Sequence, residues 1–157
     1  MKEILGFDDF MRCFSEETYQ RRAFIGYVIE RFNFIDHMIK GILKLKDNAK
    51  LGESNKMKDK IEKLLEINVI DQGLFELLEE IRNLRNPCSH AIKPIDKNTG
   101  SLYLKYIDED SGKERVFRFD KEHLIDFQKK TDACDRLLFR VWTDVAKEQG
   151  KKITIFD

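Results

Sequence analysis

LFELLEEIRNLRNPCSH, residues 74–90, carries both a strong helical rhythm and the densest polar chemistry of the chain. Leu74, Leu77, Leu78, Ile81 and Leu84 recur at intervals of three and four, which places them on one side of a helix. Asp71, three residues ahead of Leu74, offers a carboxylate where the first amides of a helix need an acceptor. Pro87 disfavours a helical conformation at Asn86, so the pattern predicts a helix that stops at about Arg85 or Asn86. The polar residues then fall on its last turn and just beyond. Arg85 stands four, seven and eleven residues after Ile81, Leu78 and Leu74. It therefore lies on or beside the inward stripe, where a lone guanidinium would be costly. Either it meets a carboxylate or it lines a cleft for an anion. Arg82 flanks the same stripe, Asn86 closes the helix, and a chain reversal through Pro87, Cys88 and Ser89 would return the His90 imidazole to Arg85.

Outward from this segment the same rhythm repeats. Ser15 with Glu16 and Glu17 has the chemistry of a helix start, and Phe24, Val28, Phe32, Ile35, Ile39 and Ile42 then continue one face to about Leu45. The stretch DNAKLGESNK, residues 47–56, reads as a loop. Met57, Ile61, Leu64 and Leu65 define a shorter helix with a lysine-rich outer face, ending near Asn68. Between Ser101 and Asp120 the period falls to two: LYLKYI and RVFRF flank DEDSGKE, and a β-hairpin is expected over about 101–120. Asp120 caps a last long helix marked by Leu124, Phe127, Thr131, Cys134, Leu138, Val141 and Val145. ILGFDDFMRCF, residues 4–14, is a candidate fifth helix, and the tail KKITIFD is unassigned. The expected fold is mostly α, an antiparallel four- to five-helix bundle with a β-hairpin inserted before the last helix, as one domain over 1–157.

Composition narrows the function classes. The 29 basic and 29 acidic residues cancel, so no global positive field draws in a polyanion, and any nucleic acid must be held by a local patch. Three scattered cysteines, Cys13, Cys88 and Cys134, argue against a disulfide framework and fit a cytoplasmic location. No run approaches the ~20 apolar residues of a membrane span, and the N-terminal residues lack the apolar core of a signal peptide.

An Arg and a His converging on one point suit phosphodiester chemistry without a metal. A neutral imidazole can take the proton of a ribose 2′-hydroxyl or return one to the leaving oxygen, while a guanidinium stabilises charge on the phosphoryl oxygens. The ordinary alternative is that Arg85 pairs with an acid of another helix while Asn86 and His90 satisfy the last helical carbonyls. Spacing alone favours that alternative.

The run Arg85, Asn86, Pro87, Cys88, Ser89, His90 resembles the Arg, polar residue, short spacer, His motif of the HEPN superfamily, helical domains found in many RNases of prokaryotic defence and toxin systems. The order of helices around it is similar to that superfamily's bundle, and the Ile-Arg-Asn run entering the His is similar to the mannitol operon repressor branch. This resemblance implies Arg85, Asn86 and His90 as catalytic residues of a metal-independent endoribonuclease, needing no cofactor. It also implies a homodimer that joins two motifs in one cleft, and a protein partner such as an antitoxin. It equally allows a non-catalytic bundle serving transcription regulation or protein contacts.

Among other residues, Lys56, Lys60 and Lys63, with Arg82, are the candidates to hold RNA phosphates. They come from a segment, residues 36–63, with eight lysines against five acids, a pattern that usually marks a solvated face. Cys88 with His90 lacks the further ligands that structural zinc requires, and Cys88 follows the wrong pole of a helix for a nucleophilic thiolate. His123 with Asp126, and Asp36 with His37, read as surface contacts. The acidic hairpin turn suits a protein partner better than RNA.

Overall fold

The computed structural model describes residues 16–89, 91–97, 101–108, 111–119 and 121–151. The candidate helix over 4–14, His90 and residues 152–157 of the tail lie outside them. Three long helices carry the bundle: α1 (Glu16–Leu45), α4 (Gln72–Ser89) and α5 (Lys121–Glu148). Between the first two stand a single turn, α2 (Ala49–Gly52), and the shorter α3 (Met57–Glu66). Strands β1 (Ala91–Lys97), β2 (Ser101–Ile107) and β3 (Glu114–Phe119) precede α5. The hairpin expected from period-two alternation is β2–β3, and β1 adds a third strand to give the antiparallel order β1-β2-β3.

Each long helix buries the stripe its spacing marks. Val28, Phe32, Ile35, Ile39 and Ile42 of α1, with Leu74, Leu78 and Ile81 of α4, meet Phe127, Cys134 and Leu138 of α5 in one core. Consecutive long helices run antiparallel. Arg85 near the end of α4 reaches Phe32 of α1, and Glu80 of α4 pairs with Lys130 of α5 at 2.9 Å. The closing pair, α1 and α5, is parallel, because three long helices in alternation leave the first and third pointing the same way. Arg31 meets Asp132 and Asp135, His37 meets Trp142, and Lys46 meets Glu148 in ascending order. Within this seam the Thr131 hydroxyl is fully buried and donates to the Phe127 carbonyl at 2.9 Å, one turn back.

Helix ends follow local chemistry. The Asp71 carboxylate accepts from the Leu74 amide at 2.8 Å, the expected cap. Asp47, Asn68 and Gly150 have φ of 58°, 55° and 64° just past α1, α3 and α5. At each, the following amide reaches back across the turn: Asn48 to Leu43, Val69 to Leu64 and Lys151 to Ala146. This satisfies carbonyls that a helix end would leave open.

Two sequence expectations are overturned, and one strand is unforeseen. The stretch 47–56, expected as a loop, holds the single turn α2 (Ala49–Gly52). α4 continues through Pro87 to Ser89 instead of ending at Arg85 or Asn86. In a final turn Pro removes only the bond from its own nitrogen to the Asn83 carbonyl, and burial of Pro87 and Cys88 offsets that loss. The third strand, β1, carries no clear alternation because Pro94 and interspersed charges obscure it. Pro is tolerated there since β1 is an edge strand.

At Gly41 of α1 the parallel seam closes on Trp142 of α5. A Cβ at that position would lie 2.5 Å from Trp142 Cζ2 and 2.6 Å from Cε2. Gly41→Ala is expected to lose up to about 2 kcal/mol, the overpacking cost of about 1–3 kcal/mol less about 1 kcal/mol of helix propensity. Urea unfolding checks the loss, and fluorescence of Trp142, the single tryptophan, should report a displaced ring.

Candidate functional site

The last turn of α4 lies beside the middle of α1, where Arg85 meets Phe32, and β1 starts two residues beyond that turn at Ala91. Arg85 is partly buried in this corner, with its guanidinium carbon 4.7 Å from the centre of the Phe32 ring. Neither sequence alternative described this, since the guanidinium lies over an aromatic face. A cation over the face of a ring is attracted by the ring's negative potential. The negative end of the α4 dipole also favours a cation here.

Asn86, the next residue, is partly buried. Because the helix continues to Ser89, residue 89 stands four positions after Arg85, over the same face, and His90 is the first residue beyond the helix. A helical turn therefore takes the place of the expected loop between Arg85 and the His, whose own position lies outside the described residues.

The four cations expected to hold RNA are divided by the fold. Lys56 is exposed at the start of α3, where its amide bonds to the Ser54 hydroxyl oxygen at 3.1 Å. Lys63 pairs with Glu66 at 2.8 Å. Lys60 is not on the outer face at all: it is 2% exposed, and its ammonium bonds to Asp36 of α1. The reason is helical phase, because Lys60 follows Met57 by three and precedes Leu64 by four. Asp36, expected as a surface partner of His37, holds both Lys60 and Lys40, the latter at 3.0 Å. Arg82 is likewise buried, its fork closed on Glu79 by bonds of 3.1 and 2.9 Å. Its charge also helps hold the Asp108 carboxyl below the usual range, after the Ser111 hydroxyl that bonds to that carboxyl.

His123 and Asp126, expected to touch each other, serve separate contacts. The His123 ring meets Phe117 edge-on at 5.7 Å, and Asp126 pairs with Lys130 at 2.7 Å. In the α1–α5 seam, burial raises the Asp135 carboxyl above its usual range even though Arg31 lies 2.8 Å away.

Cys88 and Cys134 are buried free thiols. Burial pushes each up to about 12, and the positive charge of Arg85 only partly opposes this at Cys88. A thiol so protonated is neither a nucleophile nor a ready metal ligand. Among the described residues no group of three His, Cys, Asp or Glu side chains converges on a possible metal position. Iodoacetamide at pH 8 is expected to leave both cysteines unmodified in the folded protein and to alkylate both in denaturant. Peptide mass mapping reads the difference.

An open groove of about 480 Å³ lies elsewhere, between the α3–α4 connection at Asn68–Asp71 and Leu137, Val141 and Asp144 of α5. It abuts Leu74, eleven residues and roughly 16 Å along α4 from Arg85, so it is separate from the Arg85 corner.

A family model described as a domain of unknown function, DUF4145, matches residues 36–110. The match takes in Asp36, Lys60, Arg82, Arg85 and the first two strands, and it stops before β3 and α5. No curated protein and no solved structure matches the chain. Among the described residues no helix is long and apolar enough to cross a membrane.

Proposed function

We propose that the chain is a HEPN-like cytoplasmic domain that cleaves RNA without a metal ion, in a cleft that a second copy completes with the same motif. In this reading His90 takes the 2′-hydroxyl proton and later supplies one to the leaving 5′-oxygen. Arg85 binds the phosphoryl oxygens as negative charge builds, and Asn86 orients one of the two. The observation that supports it is the Arg85 guanidinium, stacked on Phe32 in the last turn before His90. A guanidinium is the side chain that can give two parallel N–H···O bonds to a phosphate. A defence or toxin–antitoxin role, with a protein partner that restrains the activity, follows from the same resemblance.

A second reading has its own support. Arg82, Lys60 and Lys63, three of the four cations expected to grip RNA, are engaged by acids of their own chain. This favours a non-catalytic regulatory or protein-interaction module similar to mannitol operon repressor proteins.

Mixed RNA incubated with purified protein in EDTA, beside Arg85→Ala and His90→Ala, separates the two. Cleavage by wild type that both variants lose supports the enzyme. Cleavage unchanged in both variants removes these residues from the chemistry, and a wild type that neither cuts nor binds RNA favours the module. A strictly monomeric mass in solution would dismiss the two-motif cleft.

A further inference from the structure

The outer flank of the α1–α5 seam carries one stripe on each helix. On α1, Glu30, Phe34, His37, Gly41 and Lys44 follow at intervals of four and three, which keeps them on one side of the helix. On α5, Asp132, Arg136, Phe139, Thr143 and Lys147 keep nearly the same rhythm. Neither stripe belongs to the core. Phe34 is 44% and Phe139 43% exposed, and Glu30, Lys44 and Lys147 are exposed beside them. The Thr143 hydroxyl is already satisfied, donating to the Phe139 carbonyl at 2.7 Å.

The two stripes share a midpoint. Arg31 meets Asp132 and Asp135, His37 meets Trp142 and Lys46 meets Glu148, at separations of 101, 104, 105 and 102 positions. His37 and Phe139, 102 positions apart, therefore stand at one level. Around that level the charge changes sign. Glu30 lies seven residues before His37 and Lys44 seven after, while Asp132 lies seven before Phe139 and Lys147 eight after. Asp132 and Asp135 share the single cation Arg31, so with Glu30 the acidic end stays net negative. Arg136, in the middle, remains within one turn of its own Asp132.

A two-fold axis lying in this face, across the helices at the level of His37, sets a second copy antiparallel on the first. It brings Glu30 to the partner's Lys44 and Asp132 to the partner's Lys147. The same rotation places the two Phe139 rings together at the axis. Each Phe34 then meets the partner's Gly41, since these stand three before and four after His37. Gly41 offers no side chain to obstruct the ring, and Trp142 fills the space a Cβ would take. One patch that complements itself in charge and in shape is what a two-fold contact requires. A partner of unrelated sequence would need none of these midpoints to coincide.

We infer that the outer flank of the α1–α5 seam is a contact between two copies of this chain, antiparallel about a two-fold axis level with His37 and Phe139. It is a different surface from the cleft proposed above, because Phe32, which carries Arg85, stands about 160° round α1 from Phe34. The contact needs no RNA chemistry, and a chain that uses both surfaces assembles beyond a dimer.

The test is the mass of the full chain by sedimentation equilibrium across a concentration series. Wild type should self-associate. Phe139→Glu sets two like charges together at the axis and should weaken association at least about tenfold. Glu30→Lys creates two repulsive contacts across the axis and should weaken it about tenfold, as should Lys44→Glu. The double variant Glu30→Lys/Lys44→Glu exchanges the charges and should return association to within about threefold of wild type. Glu76→Lys, an exposed charge change on α4, controls for net charge and should have no effect. Circular dichroism checks that each variant is folded. A monomeric wild type, a wild-type mass kept by Phe139→Glu, or a double variant no better than the single ones would overturn the contact. Association that Phe139→Glu abolishes, in a protein that never cuts RNA, would uphold the contact while the catalytic reading falls. Association that Phe139→Glu leaves intact, with cleavage lost in Arg85→Ala, would uphold the cleft while this contact falls.

Discussion

Asp36→Ala is expected to lower the unfolding free energy by about 3–5 kcal/mol, the range for breaking a buried ion pair on one side. For a domain whose total stability is typically about 5–15 kcal/mol, this is a large share. Lys60 is 2% exposed, and Asp36 is the carboxylate that compensates its charge inside the bundle. Removing Asp36 leaves an ammonium among Ile61, Leu64 and the α1 stripe, and it also releases Lys40. Urea denaturation measures the loss. The double variant Asp36→Ala/Lys60→Met should recover most of it, because an unbranched apolar side chain can follow the same path without a charge to neutralise. If the double variant is as unstable as the single one, packing around Asp36 and not the buried charge is the source.

The second large effect concerns chemistry. Arg85→Ala should slow single-turnover RNA cleavage in EDTA by about 10²–10³-fold, the usual consequence of deleting one donor to a developing oxyanion. His90→Ala should slow it by about 10²–10⁴-fold, the span of general acid–base catalysis. Arg85→Ala also forfeits its stacking on Phe32, worth about 0.5–2 kcal/mol of stability, so urea curves must accompany the rates. Arg85→Lys separates charge from shape: the positive charge stays while the planar fork is lost, and only part of the rate should return. An Arg85→Ala rate within twofold of wild type, in a protein still folded, would take Arg85 out of the reaction.

Much of this architecture is legible as helical phase. The stripes of α1, α4 and α5 announced the core because apolar residues at intervals of three and four have no other common use in a chain this size. Phase also held the answer at Lys60 and Asp36, where residue type misled. Lys60 shares a face with Met57 and Leu64, and Asp36 shares one with Phe32 and Ile39. Reading both as surface groups followed their charge instead of their position. Pro87 misled in another way: its local preference is real, but a last helical turn that buries Pro87 and Cys88 against the core overrides it. The stacking of Arg85 on Phe32 joins residues more than fifty positions apart and has no local signature.

The parallel pairing of α1 with α5 also has a consequence in time. Its contacts join residues separated by 100 to 105 positions, from Arg31 with Thr131 to His37 with Trp142. Long-range contacts of this kind form late, because the chain entropy of closing so wide a loop comes before any gain. At about 5–20 residues per second of synthesis, α1 emerges about 5–20 s before its parallel neighbour exists. Throughout that interval the first helix of the nascent chain carries apolar surface that awaits the last helix to cover it.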